Sequence, residues 1–121
     1  MEYKKDIKDW TLEFAILSVK YSLELKDNKI DFDLISQFRR SATSVGANVR
    51  EAKASSSRKE LTRFYDIALR SANEAGFWIE VISKGYDFQS QKQDQIIAEL
   101  EQIQKVIGKI IVNLKREVAT F

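Results

Sequence analysis

Apolar residues recur along this chain at steps of three and four, the signature of helices with one buried face. A first helix is predicted over about residues 6–26, where Ile7, Trp10, Phe14, Leu17, Tyr21 and Leu25 share a face. Leu12, Ile16, Val19 and Leu23 form a second stripe nearly opposite the first. A helix with two apolar stripes needs cover on both sides, one from its own bundle and the other from a second subunit. Leu17, Val19, Tyr21, Leu23 and Leu25 also alternate as a strand would, but no second segment is suited to pair with them, and a lone strand is not stable.

Asp27, Asn28 and Lys29 read as a turn. Asp31 or Asp33 then caps a second helix over about residues 33–54, because a carboxylate there accepts hydrogen bonds from the free amides and suits the helix dipole. Its buried stripe is Leu34, Phe38, Ala42, Val45, Val49 and Ala52. Ser57 and Glu60 make a capping box that opens a third helix over about residues 58–84. That helix buries Leu61, Tyr65, Ala68, Ala72, Ala75, Ile79 and Ile82, and Gly85 fits a left-handed C-cap. Ser90 and Gln93 form a second capping box before a fourth helix over about residues 90–117. There Ile96, Leu100, Ile103, Ile107, Ile110 and Leu114 step as a heptad seam.

Short joins make neighbouring helices antiparallel, so the expected fold is all-α, an up-down-up-down four-helix bundle in a single domain spanning residues 1–121. Composition agrees. The 121 residues include no Pro and only four Gly, which suits long helices better than a turn-rich sandwich. There is no His and no Cys, which removes thiolate or Ser–His catalysis, disulfides, and Cys- or His-ligated metal centres. No enzyme activity, cofactor or metal is therefore expected. The longest run without a charge is nine residues, 41–49, far short of the roughly twenty that cross a bilayer. The N-terminus has no apolar signal core, so a cytoplasmic location without membrane attachment is expected.

Net charge is +2, but its distribution is uneven. Residues 39–70 carry eight basic side chains (Arg39, Arg40, Arg50, Lys53, Arg58, Lys59, Arg63 and Arg70) against Glu51, Glu60 and Asp66. That segment is +5, the remainder is −3, and six of the seven arginines lie within it. Arg39, Thr43, Gly46, Arg50 and Lys53 step along one ridge of the second helix, and Lys59, Arg63, Asp66 and Arg70 along one ridge of the third. Antiparallel packing can set the two ridges on adjacent flanks. Arginine's planar fork binds phosphate oxygens in pairs, and a clustered basic stripe is the electrostatic footprint of nucleic-acid binding. A solvated face and a subunit interface are the competing readings of the same row.

The small residues Ser41, Ala42, Ser44, Gly46, Ala47 and Asn48 interrupt the second helix. Gly costs a helix about 1 kcal/mol against Ala, and close approach of another helix would offset it. Asn48 needs hydrogen-bond partners if buried, with Ser71 and Asn73 as candidates. Glu51, Glu74 and Glu80 show no convergence into an acid–base pair and are expected to pair with the arginines. Phe77, Trp78, Val81 and Phe88 exceed what the third helix needs for its core, and either meet a neighbouring chain or cap the end of the bundle. With Leu12, Ile16, Val19 and Leu23 they are the candidate interface between chains.

The segment Arg39-Arg40-Ser41-Ala42-Thr43-Ser44-Val45-Gly46-Ala47-Asn48-Val49-Arg50-Glu51-Ala52 resembles the signature of the bacterial four-helix bundle proteins, also known as ribosomal-RNA intervening-sequence proteins. The resemblance continues through Ser57-Arg58-Lys59-Glu60-Leu61, Ile67-Ala68-Leu69, Asn73-Glu74-Ala75 and Phe77-Trp78-Ile79-Glu80, and includes Leu12-Glu13-Phe14-Ala15. It implies a left-handed four-helix bundle assembled as a homopentamer. It also implies kinship with the accessory protein of diversity-generating retroelements, which binds nucleic acid and a reverse transcriptase through a basic surface. Arg39, Arg50, Arg63 and Arg70 would carry that role here. The expected partners are therefore RNA or DNA, a reverse transcriptase and the chain itself; the alternative is a structural or protein-interaction ring with no nucleic-acid role.

Overall fold

The computed structural model describes residues 5–119, with side chains to Arg116. Residues 1–4, part of the segment without a signal core, lie outside it, as do residues 120–121. Four helices form: α1 (Ile7–Asp27), α2 (Phe32–Ala54), α3 (Arg58–Gly85) and α4 (Gln91–Ala119). Among the described residues there is no strand, and the fold is an all-α four-helix bundle. α1 packs on α2 and α4, and α3 packs on the same two, while neither diagonal pair meets. Cross-links run in opposite senses along each neighbouring pair, as antiparallel packing demands. Lys53 reaches Asp6 and the Gly46 backbone meets Thr11, while on α4 Gln93 meets Tyr21 and Glu99 meets Trp10.

Local chemistry starts and stops the helices largely where expected. Asp6 caps α1 by accepting from the Lys8 amide at 2.8 Å. Ser57 caps α3 by accepting from the Glu60 amide at 3.1 Å, and Ser90 Oγ accepts from the Gln93 amide at 3.0 Å. Asp31 is the N-cap of α2, but its carboxylate makes no capping bond; its own N–H donates to the Tyr86 hydroxyl at 3.1 Å. Gly85 is not the left-handed residue after α3. It stays helical, and Asp87 takes the positive φ of 50°, as Lys29 does with 61° in the α1–α2 turn.

The buried seam of α1 differs from the purely apolar face. Thr11, Ser18 and Ser22 are buried with Ile7, Phe14, Tyr21 and Leu25, while Trp10 and Leu17 are half-buried at its edge. Each hydroxyl donates to a carbonyl one turn back: Thr11 to Ile7, Ser18 to Phe14, and Ser22 to Ser18. Satisfied in this way, a small polar side chain can enter the core at little cost. It also lets α2 come close. A Cβ on Gly46 would sit 3.0 Å from the Thr11 carbonyl oxygen, so the glycine is required by helix approach. In α2 Ile35 is buried and Leu34 half-buried; in α4 the seam drifts from Ile110 to Ile111.

Candidate nucleic-acid interface

The two basic ridges do not lie side by side. The α2 ridge turns toward α1: Gly46 touches Thr11, Lys53 lies 3.9 Å from Asp6, and Thr43 and Arg50 border a groove with Lys8 and Leu12. The α3 ridge turns toward α4, where Asp66 lies 3.9 Å from Lys115. The seam between α2 and α3 is closed instead by the Ser44–Ser71 hydrogen bond at 2.9 Å. Asn48 joins this seam by donating to the Ser44 carbonyl and hydroxyl oxygens; Asn73 turns to α4 and accepts from Gln104.

What brings basic residues together is the α2–α3 turn. It folds Arg50 and Lys53 back beside Arg58, Lys59 and Arg63 at one end of the bundle. Lys8 from α1 and Lys115 from α4 join them, lining grooves with Arg50 and with Arg58, Lys59 and Arg63. The opposite end mixes Asp27, Asp31, Asp33 and Asp87 with Lys26, Lys29, Lys84 and Lys92 around the other two turns. The arginine-rich excess is thus gathered at one end, a basic pole at the α2–α3 turn. Arg39 and Arg40 lie away from it, at about 1.5 Å per residue some 15–20 Å along α2 from Arg50 and Lys53. Lys8 and Lys115 were missed by the sequence pattern, because only the packing places them beside the central segment.

Arg39 is half-buried; Arg40, Arg50, Lys53, Arg58, Lys59, Arg63 and Arg70 are exposed. Among the described residues, Arg39, Arg40, Arg50, Arg63 and Arg70 have no carboxylate within salt-bridge distance, whereas Lys5, Lys53, Lys84 and Lys115 each have one. Arg63 lies over the Phe64 ring at 4.7 Å, which steadies its plane without using its donors. The expected pairing of the glutamates with arginine does not occur. Glu74 accepts from the Trp78 indole at 3.2 Å, and Glu80 pairs with Lys84 at 2.8 Å, a hydrogen bond and charge that hold its carboxyl below the ordinary value.

The second stripe of α1 is exposed. Leu12, Ile16, Val19 and Leu23 keep between 42% and 58% of their surface, and Phe77 of α3 keeps 55%. Trp78 and Val81 are half-buried, with Trp78 packed edge-on to Phe77. The two apolar patches sit on helices that do not touch, at diagonal corners of the bundle. No three Asp or Glu side chains gather as a metal site among the described residues, and no described helix is long and apolar enough to cross a membrane.

A four-helix bundle with a polarised surface and an exposed apolar stripe defines the class. The chain belongs to the 23S rRNA-intervening sequence protein family, whose model matches residues 4–109. A solved structure from Bacteroides thetaiotaomicron VPI-5482, described as a protein with unknown function from the S23 ribosomal protein family, is similar to it. The two share 33% identity over 88% of this chain and 98% of that one, with a TM-score of 0.82. No curated protein matches the chain.

Proposed function

We propose that this protein is a non-enzymatic, cytoplasmic adaptor that binds RNA or DNA through its arginine-rich surface on α2 and α3, strongest at the basic pole. The observation that carries this reading is the unspent guanidinium groups. Arg39, Arg40, Arg50, Arg63 and Arg70 have no carboxylate partner among the described residues, nor do Lys8 and Lys59, while Lys53 and Lys115 each lie 3.9 Å from one. A guanidinium not engaged by a carboxylate keeps its full donor fork for phosphate oxygens. By resemblance, the protein partner proposed alongside the nucleic acid is a reverse transcriptase.

The test is a filter-binding titration against structured RNA over a range of salt. Each phosphate contact contributes about 0.7–0.9 to the slope of log K against log salt. Replacing Arg39, Arg50, Arg63 and Arg70 by Glu should abolish retention while leaving the helical signal intact. Absence of retention by the wild type at low salt would refute the reading.

A second reading, a structural ring without nucleic acid, has its own support in the exposed α1 stripe. Two different patches at opposite corners suit head-to-tail contact between copies, which closes into a ring when the rotation from copy to copy divides the circle. We propose a homopentamer built in this way from Leu12, Ile16, Val19 and Leu23 of one copy and Phe77, Trp78 and Val81 of the next. Light scattering that finds a monomer at micromolar concentration would overturn it.

A further inference from the structure

The excess of positive charge continues onto α4, beyond the arginine-rich central segment. Lys105, Lys109, Val112 and Arg116 step by four, three and four along one ridge of α4, and all four are exposed. No acidic residue stands between Glu101 and Arg116. On α3, residues 58–73 carry Arg58, Lys59, Arg63 and Arg70 against Glu60 and Asp66. Residues 58–73 and 102–116 together hold eight basic side chains against two acids, a charge of +6, while the rest of the chain is −4.

Two contacts set the register between the helices. Lys115 lies 3.9 Å from Asp66, and Gln104 donates to Asn73 at 3.0 Å. Antiparallel packing then puts Arg116 level with Arg63 and Lys109 level with Arg70. Lys59, Arg63 and Arg70 form one row, and the α4 ridge forms a second beside it. Each row is about 16 Å long at 1.5 Å per residue. Toward the α2–α3 turn a groove bordered by Lys59, Thr62, Arg63, Asp66 and Lys115 runs between them.

Rows of like charge on neighbouring helices repel each other, and that repulsion works against the compact state. Little within the protein offsets it here. Lys105, Lys109 and Arg116, like Arg63 and Arg70, have no carboxylate within salt-bridge distance among the described residues; Lys115 alone on this stretch of α4 has one, at 3.9 Å. A polyanion lying across both rows would supply the missing charge.

The form of that polyanion follows from the rings the face lacks. Proteins that hold single strands stack bases on aromatic side chains set among their cations. The exposed rings Phe32, Phe77 and Tyr86 lie outside these two segments, and Phe64 is half-buried with the Arg63 guanidinium 4.7 Å over it. Long cations without a stacking ring suit the phosphates of a double helix, whose bases already stack on one another. Neighbouring helices pack about 8–10 Å apart, so the two rows can reach both strands bordering a groove about 6–12 Å wide.

We infer that the α3–α4 face binds a nucleic-acid double helix by its phosphates, one strand along Lys59, Arg63 and Arg70 and the other along Lys105, Lys109 and Arg116. This rests on the nucleic-acid reading above. It adds the α4 row to that reading and leaves Arg39 and Arg50, on the ridge that turns toward α1, outside the contact. DNA and RNA duplexes present the same phosphates, and the test separates them.

Fluorescence anisotropy over a range of salt tests the face with a short labelled DNA duplex, the RNA duplex of the same sequence and one DNA strand alone. A duplex should bind more tightly than the single strand. Lys105→Gln with Lys109→Gln removes two phosphate contacts, which should lower the slope of log K against log salt by about 1.8 and the duplex affinity by about tenfold or more. Arg39→Gln with Arg50→Gln should leave the slope unchanged. Lys105 and Lys109 are exposed and unpaired, so the unfolding midpoint of the α4 variant should match the wild type.

Tighter binding of the DNA duplex assigns DNA, and tighter binding of the RNA duplex assigns RNA. An α4 variant that binds the duplex as the wild type does overturns the inference and leaves the nucleic-acid reading standing. So does a wild type that holds the single strand as tightly as the duplex. A wild type that binds none of the three at low salt refutes the nucleic-acid reading itself, and this face with it.

Discussion

Gly46 offers the sharpest test of how α1 and α2 are held together. Alanine at this position gains about 1 kcal/mol of helix propensity over glycine. Its Cβ, however, would lie 3.0 Å from the Thr11 carbonyl oxygen, 3.2 Å from the carbonyl carbon and 3.4 Å from the Thr11 Cβ. The first two are backbone atoms of a buried turn of α1, so they cannot swing aside as a flexible side chain would. Overpacking of this kind costs about 1–3 kcal/mol, which outweighs the propensity gain and leaves Gly46→Ala destabilised by about 1 kcal/mol. Gly108 is the internal control. It lies within α4, and a Cβ there meets no atom within 4 Å, so Gly108→Ala should stabilise by about 1 kcal/mol. Urea unfolding followed by circular dichroism, at one fixed protein concentration, should move the two midpoints in opposite directions with unchanged slope. If Gly46→Ala raises the midpoint as Gly108→Ala does, the α1–α2 approach is looser than described and the account of the glycine fails.

Tyr21→Phe should cost about 1–3 kcal/mol, because it leaves Gln93 Oε1 buried without its donor, whereas Tyr65→Phe should cost little; thermal melts of the two compare them directly. Stability should fall as pH rises past the ordinary tyrosine value near 10. Burial raises Tyr21 and Tyr65 in the folded state, so the unfolded chain loses those protons first, and urea midpoints across alkaline pH will show it. Ser57→Ala should lose about 1 kcal/mol through the α3 cap, measured by the same titration. Ile16→Glu, on the exposed stripe, should change monomer stability by less than about 0.5 kcal/mol and abolish self-association in light scattering.

Residue spacing alone located four helices to within a residue or two, because the apolar steps and the serine caps at Ser57 and Ser90 act locally. The seam of α1 escaped for a physical reason. Thr11, Ser18 and Ser22 count as polar in any pattern of hydrophobicity, yet bonds to their own helix make them acceptable in the core. Gly46 was legible as a close approach because only packing offsets its cost. The partner it approaches, the backbone at Thr11, was not. Of the site, the arginine-rich segment was plain in the linear charge count. Its shape was not, since the flank of α2 that carries Arg39 and Arg50 is fixed by which neighbour takes each side. Lys8 and Lys115 belong to the basic pole only through contacts between remote parts of the chain. Asp87 in place of Gly85 as the left-handed residue reflects a helix that runs one residue further than its glycine suggests.

An even number of antiparallel helices returns the chain to where it began. Ile7 at the start of α1 and Leu114 near the close of α4 line one cavity, so the first and last turns of the bundle are neighbours. A covalent loop from α4 to α1, with the chain reopened in the turn at residues 28–31, would keep all four helix contacts and change only their order along the sequence. The relocated ends would emerge at the opposite end of the bundle, about 31 Å away along the 21 residues of α1. Anything fused to them would then stand clear of the arginines, whereas a fusion close to the first or last helical turn stands over them.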